Sequence, residues 1–195
     1  MASSINAAQP VFGTPTTASV RANFSAAKSE IEALQGRFGF VDYNDSATAG
    51  TPISVSPSTW TKLTNNILGA YTKTDALPAG VTTLWNTTNN QLSLSQLPLN
   101  SVVRIRADLT VTTSAANQVV KNDIQLAIGT GSVFTLESSA PHFKTSGAQN
   151  MAVYTEFYIG SNDVRNNPGE IRIWSDASCT VVVRGWFITV NKAIA

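Results

Sequence analysis

The stretches Val102–Thr112, VVRIRADLTVT, and Gln118–Ile128, QVVKNDIQLAI, decide how this chain is read. In the first, Val103, Ile105, Leu109 and Val111 are apolar, with Ala107 among them. Arg104, Arg106, Asp108 and Thr110 fill the alternate positions. In the second, Val120, Ile124, Leu126 and Ile128 are apolar, and Lys121, Asp123 and Gln125 are not. Successive side chains of a strand point to opposite faces, so this period of two predicts β-strands with one face buried. If the two strands are neighbours in one sheet, charge sets their register. Arg106 opposite Asp123 places Asp108 against Lys121, Arg104 against Gln125 and Ile105 against Ile124. A slip of two residues either way sets Asp108 against Asp123, or Arg106 against Lys121, and like charges directly opposite are unfavourable.

The same period, broken by turn residues every 8–12 positions, runs from about residue 40 to the end. It predicts strands at Pro52–Val55, Trp60–Leu63, Val81–Trp85, Gln91–Leu94, Ser132–Leu136, Met151–Ile159, Glu170–Trp174 and Thr180–Asn191, besides the two above. The fold class expected is mainly β, an antiparallel jelly-roll or β-sandwich domain over 39–195. It is preceded by an extended N-terminal arm and one heptad-patterned helix.

The helix is the stretch TASVRANFSAAKSEIEALQ, within a segment 16–38. Thr17 is placed to cap its start and Gly36 to stop it. Val20, Phe24, Ala27, Ile31 and Leu34 are spaced 4, 3, 4 and 3, the narrow seam of a coiled coil rather than the wider stripe of a helix lying on a globular core. An isolated helix of this length is marginal in water, so the seam calls for partner helices. Residues 1–15, MASSINAAQPVFGTP, are uncharged and carry Ile5, Val11 and Phe12, which predicts an extended arm that docks on another surface.

Composition narrows the function. The chain has 195 residues, 13 basic and 12 acidic side chains, a net charge of +1, and 59 residues that are Ser, Thr or Asn. That balance offers no basic field for nucleic acid. No apolar run reaches the roughly 20 residues of a membrane-spanning helix, and the N-terminus lacks the pattern of a signal peptide. One cysteine, Cys179, excludes an internal disulfide and a cysteine zinc site, and one histidine, His142, leaves little for acid–base chemistry. No cofactor and no enzymatic activity are expected. Glycoside hydrolysis needs two facing carboxylates, and the 12 acids are spread thinly.

Other motifs read as structure. Asp42, Asn44 and Ser46 have calcium-loop spacing, but Ala47 replaces the turn glycine and Ile53 stands at the last ligand position, so an Asx turn is expected. Gly129-Thr130-Gly131-Ser132 reads as a tight turn. Trp60, Trp174 and Trp186 read as packing residues. Trp85, followed by Asn86-Thr87-Thr88-Asn89-Asn90, places an aromatic beside neutral hydrogen-bonding groups, a combination suited to a sugar ring; Trp85, Asn86 and Asn89 are the candidate ligand contacts.

The segment Gly13–Phe24, GTPTTASVRANF, continuing through Lys28-Ser29-Glu30-Ile31-Glu32-Ala33-Leu34, resembles the N-terminal region of tailed-bacteriophage fibre and appendage proteins, where an R-x-N-F pattern starts a short helix. The β region resembles, in pattern only, the tumour-necrosis-factor-like jelly rolls that form trimeric knobs on phage fibres and capsid decorations. The resemblance implies a homotrimer on the virion surface, its helices meeting at Val20, Phe24, Ala27, Ile31 and Leu34. It implies partners among capsid or tail proteins, with anchoring through Ile5, Pro10, Val11 and Phe12. A capsid decoration or head fibre is the first reading. A short tail fibre that recognises a host surface glycan or protein is the alternative.

Overall fold

The computed structural model describes residues 17–137 and 140–193, with the side chains of 32–35 also outside the description. The expected arm residues Ile5, Pro10, Val11 and Phe12, and the side chain of Leu34, therefore lie outside the described part. The helix α1 spans Thr17–Gln35. Gly36 follows it directly, as expected of a stop, and Thr17 is already helical rather than the residue before the helix. Phe38 opens the first strand.

Twelve strands and a second helix follow: β1 (Phe38–Asn44), β2 (Ile53–Val55), β3 (Thr61–Lys62), β4 (Trp85–Asn86), β5 (Gln91–Leu92), β6 (Val102–Thr113), β7 (Gln118–Leu126), β8 (Phe134–Glu137), β9 (His142–Phe143), β10 (Gly147–Tyr158), α2 (Asn162–Asn166), β11 (Glu170–Ser175) and β12 (Cys179–Asn191). The first sheet has the order β1-β12-β6-β10, with β2 also on β12; the second has the order β3-β11-β7-β8, with β9 also on β7. All pairings are antiparallel. The chain passes from one sheet to the other between β6 and β7, back by β10, over again at β11 and back at β12. Each sheet thus interleaves strands from both halves of the domain, which is the jelly-roll arrangement.

That crossover corrects the expected register. β6 and β7 are not neighbours: β6 lies between β12 and β10, and β7 pairs with β11. Arg106 stands opposite Phe187 and Tyr154, and Asp123 stands opposite Arg172. The apolar rows Val103–Val111 and Val120–Leu126 belong to the two facing sheets of the sandwich. Alternation is satisfied equally by strands side by side and by strands face to face, so it could not choose between them. The alternation is present along β6, where Val103, Ile105, Ala107, Leu109 and Val111 are buried. Along β7 Val120, Ile124 and Leu126 are buried, but so is Asp123 on the alternate positions, and Ile128 beyond the strand is only half-buried.

Strand β12 changes phase along its length. Its register on β6 shifts between Val183 and Gly185, a bulge that leaves Arg184 outside and turns Trp186 into the core. Gly185 suits the kink: a Cβ there would sit 2.7 Å from the Tyr43 carbonyl oxygen. The strand Phe38–Asn44 was not expected as a separate element. It buries Val41 and Tyr43, and its free edge is covered by the following chain, with Phe40 N–H donating to Ala76 O (2.8 Å) and Asp42 exchanging bonds with Lys73 (2.9 and 2.8 Å). The stretch Val81–Leu84, expected as strand, is irregular, and only Trp85–Asn86 pairs, with Gln91–Leu92.

Candidate functional site

Three regions carry the residues singled out in the sequence. The first is α1. Phe24 is 72% exposed and Ile31 53%, while Val20 and Ala27 are half-buried. Among the described seam residues, Phe24 and Ile31 are therefore not covered by the chain's own sheets.

The second is the outer face of the first sheet, built in rows by the strand registers. Phe38, Asn191, Val102 and Tyr158 share one row; Phe40, Thr189, Arg104 and Glu156 share the next; Asp42, Phe187, Arg106 and Tyr154 share the third. Phe38, Tyr154 and Tyr158 are exposed. Phe40 lies 5.5 Å from Phe187, whose ring also carries the Arg106 guanidinium at 5.4 Å. The charges are paired, Arg104 across the strands to Glu156 and Arg106 along its own strand to Asp108, each at 2.8 Å. Burial raises the Asp42 carboxyl above the ordinary carboxylate value, against the pull of its hydrogen bond from Asn44 and of the Arg106 charge. The aromatic rows lie at the end where α1 joins. Arg37 Nε donates to Lys192 O there (2.7 Å), tying the start of the sandwich to its last strand.

The outer face of the second sheet contrasts with this. Its charges and aromatics partner one another: Arg172 holds Asp123 through two bonds (2.9 and 2.6 Å) and reaches Gln125 (3.1 Å), while Lys62 and Gln91 both donate to Glu170. Arg172 covers Trp60 at 5.1 Å, and Lys121 covers Trp174 at 4.8 Å. Asp123 thus pairs with Arg172 and not, as expected, with Arg106; nothing local distinguishes the two arginines.

The third region is the turn after Trp85. Trp85 cannot serve as a sugar platform: it is 2% exposed, packs on Trp186 with ring centroids 5.9 Å apart, and donates its indole N–H to Asn65 O (2.9 Å). Asn86 and Asn89 are exposed, and the Asn86 side-chain oxygen accepts from the backbone N–H groups of Thr88 (3.0 Å) and Asn89 (3.1 Å). The structure brings both asparagines against α2, which the sequence reading did not anticipate. A short helix capped by Ser161, whose Oγ accepts from Val164 N–H at 3.3 Å, leaves too few residues for a periodic signal.

The remaining candidates are structural. Cys179 is buried, and burial raises its thiol. His142 is exposed on the two-residue strand β9. The expected Asx turn centres on Asp45, which accepts from Thr48 N–H and Oγ1 at 2.7 Å each, and not on Asp42. Among the described residues no group of three His, Cys, Asp or Glu side chains is placed to hold a metal, and no helix is long and apolar enough to cross a membrane.

The strand order and the two sheet faces define a mainly β, antiparallel jelly-roll sandwich. No protein-family model matches the chain, and no curated protein matches it in sequence. Solved structures of similar shape include a chain of the IBDV viral particle (11% identity over 80% of this chain and 31% of that chain, TM-score 0.43). They also include the PRD1 vertex protein P5 (15% identity, 80% and 73%, TM-score 0.41) and the Eiger TNF from S. frugiperda (8% identity, 82% and 95%, TM-score 0.47). This chain thus spans less than a third of the IBDV chain. None of these likenesses assigns a role to a residue here.

Proposed function

We propose that the protein is a non-catalytic structural component of a virus particle, a homotrimeric capsid decoration or head fibre held to the virion surface by residues 1–15. One observation carries this reading. Phe24 and Ile31 of the α1 seam and Phe38, Tyr154 and Tyr158 of the first sheet are exposed at the same end of the domain, while the second sheet's outer face is closed by its own ion pairs. Burying each exposed Phe, Tyr or Ile in an interface contributes about 1.5–3 kcal/mol. Heptad spacing favours another helix as the partner, and α1 is the only described helix of more than five residues. Copies of this chain supply that helix, which is the trimeric arrangement implied by the resemblance of the N-terminal segment to phage appendage proteins.

Analytical ultracentrifugation at micromolar concentration tests the assembly: a trimer is expected, and a monomer refutes it. The double variant Phe24→Glu/Ile31→Glu is expected to weaken the trimer while the β domain keeps its fold by circular dichroism. Removing residues 1–15 is expected to abolish binding to particles without dissociating the trimer; continued binding refutes the anchoring role.

A further inference from the structure

Beside the Asn86 turn, α2 and the β4–β5 hairpin enclose a groove of about 220 Å³. Its polar wall is made by Asn86, Asn89, Gln91, Arg165, Asn166 and Asn167. Most of these side chains are held by one end and leave the other end unused. Asn86 accepts two backbone N–H groups with its oxygen, leaving its amide N–H₂. Gln91 gives its N–H₂ to Glu170 (2.9 Å), leaving its oxygen. Asn167 gives its N–H₂ to Asp163 O (3.0 Å), leaving its oxygen. Arg165 Nε donates to the Asn166 oxygen (3.1 Å), leaving the two terminal guanidinium nitrogens and the Asn166 N–H₂. The Asn89 side chain makes no hydrogen bond; its backbone N–H goes to Asn86 (3.1 Å) and its carbonyl accepts from Lys62 (3.0 Å). Donors and acceptors are thus mixed around one concavity and pre-oriented by bonds already made, which lowers the ordering cost of binding.

The chemistry of the wall selects a ligand class. A hard metal ion calls for carboxylates, the lining contains none, and Glu170, which holds Gln91, is already engaged by Lys62 and Gln91. A phosphate calls for more than one cation, and Arg165 is the only cation of the lining. An extended aromatic ligand needs a stacking partner, and Trp85 is buried against Trp186. A row of hydroxyls, each both donor and acceptor, matches all the unused groups, and Pro168 gives an apolar wall for a C–H face. The volume lies below the roughly 300–1,000 Å³ of drug-sized sites, so one ring fits.

We propose that this groove is a carbohydrate subsite that takes one neutral pyranose, with Arg165 across two vicinal hydroxyls. The site is complete within one chain and does not rest on the trimeric reading. Methyl glycosides of glucose, galactose, mannose and N-acetylglucosamine, titrated at millimolar concentration into the ¹⁵N-labelled full chain, are the probes. At least one is expected to shift backbone amides confined to residues 86–95 and 163–169. Arg165→Ala is expected to weaken the response about tenfold. Asn89→Ala, an exposed position with no side-chain bond to lose, is expected to weaken it several-fold without altering the fold. Absence of shifts with all four sugars, shifts elsewhere, or a response unchanged in both variants overturns the proposal. A response to glucuronate alone overturns it too, because charge and not hydroxyl recognition then governs the groove.

Discussion

Arg172→Ala is the substitution whose cost follows most directly from the structure. The Asp123 side chain is 1% exposed and Arg172 17%, and the two share a bidentate contact with N···O distances of 2.9 and 2.6 Å. Removing the guanidinium leaves the Asp123 carboxylate buried and without its partner, and the register on its other side sets it opposite Glu137, a like charge. Breaking a buried pair in this way costs about 3–5 kcal/mol, because the uncompensated charge keeps its desolvation penalty. Loss of the Arg172 contact over Trp60 adds roughly 0.5–1 kcal/mol. The total is about 3.5–6 kcal/mol; for a domain of this size 1 kcal/mol moves the melting temperature by about 2–4 °C, so the variant should melt roughly 7–24 °C lower. The assay is urea and thermal denaturation at fixed protein concentration, since assembly makes stability depend on concentration. The double variant Asp123→Leu/Arg172→Met removes both charges and should recover most of the loss. The exposed pair Lys73–Asp75 supplies the control, and Lys73→Ala should be close to silent. A cost for Arg172→Ala of less than about 1 kcal/mol, or a double variant no better than the single one, would refute the argument that burial makes this pair matter.

Two further outcomes concern titratable groups. Burial raises the Asp42 carboxyl above its unfolded value, so the native state holds that proton more tightly. This group's contribution is therefore most favourable below the ordinary carboxylate pKa and is lost as pH rises through the raised native value. Asp42→Asn should gain stability relative to the parent as pH rises from below the ordinary carboxylate pKa to neutrality, read from urea midpoints; a difference that stays constant across that range contradicts the shift. Burial likewise raises the Cys179 thiol, so little thiolate is available. Iodoacetamide at neutral pH should leave Cys179 unmodified in the folded protein and alkylate it in urea, as followed by mass spectrometry; rapid alkylation of the folded protein contradicts its burial.

The local patterns were legible because they are set by neighbours in the chain. The period of two in Val103–Val111 named the side chains that line the core, and the 4-3-4-3 spacing from Val20 to Leu34 with Gly36 beyond it located α1 and its end. Inward and outward are properties of a strand's own sequence, given one buried face. What lies across the strand is not. Arg106 and Arg172 present the same charge to Asp123, and only the crossover that puts β6 and β7 in opposite sheets decides that Arg172 receives it. Trp85 beside a run of Asn and Thr looked like a surface platform, yet its large apolar ring is worth more against Trp186 than in water. The groove joining Asn86 and Asn89 to Arg165 depends on segments some 76 to 79 positions apart in the chain. Local periodicity holds no information at that distance, so the faces of the strands were determined by the sequence read by itself, and their partners only by the closing of the sandwich.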